Sequence, residues 1–437
     1  MTGPTTGPEP GPTAGPGSEP GPTPTVSPAE FNRLWSQLEP IGRAASGGYR
    51  RFAWTPADLT LREWFAAACA ERGLDLTVDR AGNQWGWWGN PDGAAGPASA
   101  DGPGGPGVVI GSHLDSVPDG GAFDGPLGVV SALLVIDLLR RAGVTPARPL
   151  GVVNFGDEEG ARFGVACGGS RLLTGALPAE RALALRGDDG TSLAEALKDA
   201  GRAPEALAPD PATLKRVGCF VELHVEQGLG LAGLGRPVAV GTAIWGHGRW
   251  RFDLPGEANH AGTTRLADRR DPMLDYATLV LRARELAGRH GVLATCAKVR
   301  VQPNGVNAIP SLVTGWLDAR GDDDTAVRAM VADFAEAVAG TGGTLSEESW
   351  TDRTPFAGDL TTRLSEVLGH QTPGQAPSLP TGAGHDAGIL ANAGIPTAML
   401  FVRNPTGVSH APAEYAEPAD CLAGVNALAR VVRDLTG

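Results

Sequence analysis

Five short stretches of the chain set imidazoles and carboxylates beside glycine or proline, the composition of a metal site built at strand ends. In Gly111-Ser112-His113-Leu114-Asp115 the i, i+2 spacing puts His113 and Asp115 on one side of an extended chain. A carboxylate there can accept the second imidazole N–H and fix the tautomer of a metal-binding histidine. Asp124, in Phe123-Asp124-Gly125-Pro126, stands at a helix start, where its two oxygens could bridge two cations. Asp157, Glu158 and Glu159 follow one another between Gly156 and Gly160. Adjacent acids repel unless cations neutralise them, and they allow one to ligate while another moves protons. In Val221 to Gly228, alternation places Glu222, His224 and Glu226 on one strand face. His410, in Gly407-Val408-Ser409-His410, sits in a loop before the last helix. Any one of these reads as readily as a hydrogen-bonded structural residue, a solvated loop or a helix cap. Five at once do not. The combined reading is a site for two divalent cations, with a ligand set that suits zinc, manganese, cobalt or nickel.

Such a site needs strands whose carboxyl ends meet in one crevice. Val108-Val109-Ile110, Leu150 to Phe155, Cys219 to Val225 and Ile395 to Phe401 are short apolar runs, each read as a buried strand. Helical spacing fills Pro56 to Gly73, Asp124 to Arg141 (with Asp124 as cap and Pro126 in the first turn) and Asp420 to Leu435. Strands alternating with helices predict an α/β domain around a mainly parallel sheet. From about Ile244 the order changes to β-α-β-β-α-β: a strand at Arg249 to Leu254, a helix from Asp271-Pro272, strands at Ala294 to Val301 and Leu312 to Asp318, a helix from Asp324, and a strand at Thr344 to Trp350. That succession predicts a ferredoxin-like α+β domain inserted into the first. The expected divisions are a disordered Gly/Pro-rich tail over 1–28, a first catalytic part over 29–243, the insert over 244–353 and a second catalytic part over 354–437. Asp92 to Gly107 is expected to be a flexible surface loop.

Composition narrows the partners. Net charge is −13 with no basic run, which argues against nucleic acid and anionic membranes. No apolar stretch is long enough to span a bilayer, and the first 28 residues have neither the basic start nor the apolar segment of a secretory signal. Five dispersed cysteines, never in a CxxC pair, suit reduced thiols and a cytoplasmic location.

Taken in order, these motifs resemble the ureido-hydrolase branch of the aminoacylase/carboxypeptidase metallohydrolase superfamily, which contains allantoate amidohydrolase, N-carbamoyl-L-amino-acid hydrolase and β-ureidopropionase. The resemblance runs from about Phe31 to the C-terminus through Gly111 to Gly128, Phe155 to Ser170, Glu222 to Gly228, Asn259 to Thr264, Gln302 to Pro310, Asp318 to Arg320 and Ser409 to Glu414. It implies hydrolysis of a ureido C–N bond in a small anionic substrate, with release of ammonia and carbon dioxide. His113 and Glu159 would be terminal ligands of different metals, each metal also taking one of His224 and His410, with Asp124 bridging. Glu158 would be the catalytic base and Asp115 the residue orienting a ligand. It further implies that the insert dimerises and closes over the substrate, that His260 stabilises an oxyanion, often in the partner subunit's site, and that Gln227, Asn307 and Arg320 hold the substrate's carboxylate and ureido groups. His385 resembles another site residue. One departure is visible: Arg265 follows the paired threonines where many relatives have proline. A peptidase or deacylase of the same superfamily, and a non-catalytic binding protein on a degenerate hydrolase fold, are the rival readings; the second predicts a missing ligand or base, and none is missing.

Overall fold

A computed structural model describes residues 24–93, 96–99, 102–369 and 376–437. Most of the expected tail lies outside these residues, but the folded chain reaches back into its end. Val26 is buried in the core, and Ser27 and Glu30 form a capping box on the helix Pro28–Leu38. Of the expected loop at Asp92 to Gly107, residues 94, 95, 100 and 101 lie outside the described residues. Gly96–Ser99 and Gly102–Gly104 pair as a short antiparallel ladder, and Gly107 already opens a buried strand.

Among the described residues the large sheet has nine strands. Its centre is parallel: Leu150–Phe155, Gly107–His113, Val217–Val225 and Thr397–Val402 lie side by side in that order. These are the four apolar runs, and nearly every residue in them is buried, as strands covered on both faces require. The flanking strands Gln84–Trp88 and Val238–Ile244 run antiparallel to this centre. The helix Pro126–Arg141 packs against the sheet with most of its residues buried, and Gly128 allows close approach: a Cβ there would lie 2.4 Å from the Leu223 carbonyl oxygen. The expected cap is corrected by one residue. Gly125, at φ 83°, precedes the first turn with no side-chain cap, because Asp124 turns its carboxylate towards histidines instead.

At Ile244 the chain leaves this sheet, and it returns at Thr354. Between them, four antiparallel strands lie in the order Leu293–Gln302, Leu312–Gly321, Gly246–Pro255 and Thr344–Thr351. The helices Pro272–His290 and Asp324–Gly340 supply the rest of a separate core around Phe252, Leu286, Leu317 and Phe334. Asn259–His260 and Ala308–Ile309 form a small ladder of their own.

Candidate metal centre and adjoining cleft

His113 is the last residue of one central strand and His224 the next-to-last of its neighbour. Both are fully buried, and their rings lie 5.9 Å apart between centroids. The Nδ1 of His224 lies 2.9 Å from the Val225 carbonyl oxygen, and that of His113 lies 3.2 Å from the Asp115 carbonyl oxygen. In the neutral rings a proton on Nδ1 would meet those oxygens and leave each Nε2 as a lone-pair donor.

Asp124 stands between three imidazoles and divides its oxygens among them. Oδ1 lies 3.1 Å from His224 Nε2 and 3.6 Å from His113 Nε2; Oδ2 lies 3.2 Å from His410 Nε2. Glu159 is 3.5 Å from the same atom of His410. Two groups of candidate ligands therefore share one carboxylate: His113, Asp124 and His224, and Asp124, Glu159 and His410. Glu158 lies beside the first group, with Oε2 at 3.8 Å from His113 Nε2 and Oε1 accepting from the Cys167 thiol at 3.3 Å.

Asp115 makes a contact that its spacing alone does not reveal. Its two oxygens accept the backbone N–H groups of Glu158 and Glu159, each at 3.1 Å, so one carboxylate fixes the strand-end turn that carries both glutamates. Asp115→Asn leaves only one good acceptor for two amides. We expect turnover and metal affinity to fall by about 10- to 100-fold, read by activity assays and metal titration. Asp157, Cys167 and His410 all adopt positive φ without being glycine, a conformation that persists where surrounding contacts enforce it.

Glu414, Glu222 and Asp386, which were not expected, complete the setting together with the expected His385. Glu414 accepts the backbone N–H groups of Phe123 and Asp124 at 2.9 and 3.0 Å, which orients the bridging candidate. Glu222 receives the Ser112 hydroxyl at 2.7 Å and the Ala387 N–H at 3.1 Å. Its position on the His224 face was the only sequence signal for it. His385 caps no helix end with its side chain but lies against His224, 4.5 Å between ring centroids, in a third group with Glu222. Asp386, buried beside it, bonds to the Ser170 hydroxyl.

Electrostatics follow from burial and crowding. Burial, with Asp386, Glu159 and Asp115 nearby, pushes the Glu158 carboxyl well above the usual range. Burial and Asp124 push Glu159 to about 7. The hydrogen bond to Asp124 lifts His410 to about 9. Burial opposes charge on His113, but Glu158, Asp115 and Asp124 outweigh it and hold its pKa well above the ordinary histidine value. The Nε2 atoms of His113 and His224 and the Oε1 of Glu159 are buried without a hydrogen-bond partner. For His224 the short distance to Asp124 does not have the direction of a hydrogen bond. Buried polar atoms without partners are rare, and three of them converging around one carboxylate fit a site made for cations.

A cleft of about 590 Å³ opens beside Gln227 and His410 and reaches Arg320 and Leu293 of the second sheet. Gln227 donates through Nε2 to Asp124 Oδ2 at 2.9 Å and to Ser409 at 3.1 Å. Arg320 binds Asp318 in a two-pronged pair and the Gly382 carbonyl oxygen at 2.8 Å. Three of its five N–H groups are thus engaged, and two remain. His260 and Asn307 do not line this cleft. They lie together, exposed, at the small ladder, where the Ala261 N–H donates to the Asn307 carbonyl at 2.9 Å. Arg265 forms an exposed ion pair with Asp268.

A model of peptidase family M20/M25/M40 matches residues 109–434. The chain belongs to this family. Among its relatives, the N-carbamoyl-L-amino acid amidohydrolase of Geobacillus stearothermophilus is 38% identical over 418 residues, covering 92% of this chain and 98% of the relative. The allantoate amidohydrolase of Escherichia coli K12 is 32% identical, covering 91% and 95%. A solved amidase of the hydantoinase/carbamoylase family from Burkholderia multivorans superposes with a TM-score of 0.80 at 29% identity, covering 95% of this chain and 99% of that one. The family match spans all five metal-ligand candidates, from His113 to His410.

Proposed function

We propose that this family member hydrolyses the ureido C–N bond of allantoate or an N-carbamoyl-L-amino acid, using two divalent cations held through Asp124. The observation that carries this reading is the division of the Asp124 oxygens between two ligand groups, with Glu158 beside one of them. The names of the relatives direct the choice of bond.

His113, Asp124 and His224 would hold one cation, and Asp124, Glu159 and His410 the other; zinc, manganese, cobalt and nickel all suit such ligands. Bound there, the cations would lower the pKa of water and polarise a carbonyl that two nitrogens make poorly electrophilic. The residues do the rest. Glu158 Oε1 already accepts the Cys167 thiol, so Oε2 is the oxygen free to take a proton from the attacking water. As the C–N bond breaks, that proton passes to the leaving nitrogen. The carbamate formed then yields ammonia and carbon dioxide, which accounts for every atom of the added water. Asp115 keeps Glu158 and Glu159 in register during the transfer.

Arg320 offers its two unengaged N–H groups to the substrate carboxylate, and Asp318 holds its plane. Arg320→Ala removes a charge-assisted contact, so kcat/KM falls by about 100-fold, mainly through KM, in steady-state assays. In this reading the second sheet and its helices dimerise and close over the cleft. His260 then stabilises the oxyanion in the partner subunit's site and Asn307 holds substrate beside it, which suits their exposure on this subunit. His385 packs on His224 at the floor of the site. A cytoplasmic location suits five unpaired cysteines.

The deciding experiment loads the purified protein with each metal in turn. Ammonia release is then measured from allantoate, β-ureidopropionate and several N-carbamoyl-L-amino acids, beside N-acyl amino acids and dipeptides. Turnover confined to the acyl or dipeptide substrates overturns the reading.

A further inference from the structure

The cleft is lined by polar and large apolar side chains together. Gln227, His410 and Arg320 share its lining with Leu229, Trp245, Leu379 and Phe401. Leu229 is 57% exposed, although it lies in a cleft with other large apolar side chains. Close packing sets it there: a Cβ on Gly407, whose φ is +65°, would lie 2.6 Å from Leu229 Cγ. Likewise a Cβ on Gly230 would lie 3.0 Å from Leu379 Cδ1. Two polar side chains on this wall are already engaged, while the buried Trp245 indole N–H has no hydrogen-bond partner. Glu226 accepts the Gly230 and Leu231 N–H groups at 2.6 and 2.9 Å, and the Thr381 hydroxyl accepts from the Ala383 N–H at 3.1 Å.

We propose that this wall selects an N-carbamoyl amino acid with a large apolar side chain over allantoate, with Leu229 and Leu379 receiving that side chain. The proposal rests on the ureido reading above and narrows it. Allantoate carries a second ureido group where an amino acid carries its side chain. That group would bring three N–H donors and a carbonyl against leucine, and desolvated polar groups facing an apolar wall weaken binding. An aliphatic side chain at the same place removes apolar surface from water on both sides.

The test uses the metal-loaded protein with N-carbamoyl-L-leucine, N-carbamoylglycine and allantoate. The expected kcat/KM is at least about tenfold higher for the leucine compound than for either of the others. Leu229→Asn should lower the leucine-to-glycine ratio by about tenfold; being a ratio, it is insensitive to partial misfolding. Calorimetry with the free products should give L-leucine tighter binding than glycine, a reading independent of turnover. Allantoate as the fastest substrate, or equal rates for the leucine and glycine compounds, overturns this proposal alone. Failure of every carbamoyl compound overturns the ureido reading and this proposal with it.

Discussion

Glu158→Gln should lower kcat by about 10³-fold while metal content stays that of the parent protein, since a positioned general base contributes roughly 10²–10⁴-fold. The substitution keeps the size of the side chain and an oxygen for the Cys167 thiol to donate to, but removes the capacity to take a proton. In the metal-free protein burial and the surrounding acids raise the affinity of the unaltered carboxyl for protons well above the ordinary carboxylate range, and cations bound beside it would lower that affinity and free the carboxylate to act as a base. KM should move little, because no substrate contact is assigned to Glu158. Glu159→Gln provides the contrast. It changes a residue grouped with Asp124 and His410, so elemental analysis should show loss of metal as well as activity. The two neighbouring glutamates are thereby separated by what each variant loses. Full turnover in Glu158→Gln would remove the proposed base, and metal loss in that variant would make Glu158 a ligand instead.

The candidate metal centre was legible in the sequence for a physical reason. Buried strands read as unbroken apolar runs, so the histidine or acid that ends such a run is conspicuous; His113 and His224 are both found this way. Glu158 and Glu159 announce themselves by adjacency, a costly arrangement without compensation. The tip of the helix at Pro126 is misassigned by the same logic, because an aspartate before Gly-Pro looks like a cap whatever its carboxylate touches. Ser112 to Glu222, Phe123 to Glu414 and Ser170 to Asp386 were beyond reach, since each joins residues more than a hundred positions apart and carries no periodic signal. The flanking strands Asp75–Val78 and Gln84–Trp88 escaped notice for another reason: the first is largely exposed and the second is tryptophan-rich around a glycine, so neither alternates cleanly. The apolar cleft wall was equally hidden, as Leu229 and Leu379 lie 150 positions apart and meet only through the fold.

Asp124→Asn should abolish paired metal binding and lower activity by about 10³-fold or more, because cation stabilisation of the transition state is worth several kcal/mol and each 1.36 kcal/mol is tenfold. Geometry is the reason. Both candidate groups need this carboxylate, and each of its oxygens faces a different set of imidazoles. Asparagine fits the same space but offers one oxygen and no charge. His410 gives an independent readout: its pKa of about 9 owes most to the hydrogen bond with Asp124. In the metal-free variant it should titrate nearer the ordinary value of about 6.5, as followed by NMR. In the metal-free parent protein, the raised value means that His410 is protonated at neutral pH and must lose its proton to ligate. Metal binding should therefore release protons near pH 7 and release fewer above pH 9, with affinity rising in between. Calorimetry in buffers of different ionisation enthalpy measures that release directly. Two ions bound to the asparagine variant with parent affinity would show that the bridge lies elsewhere, and the shared carboxylate would then be only a partner for charged histidines.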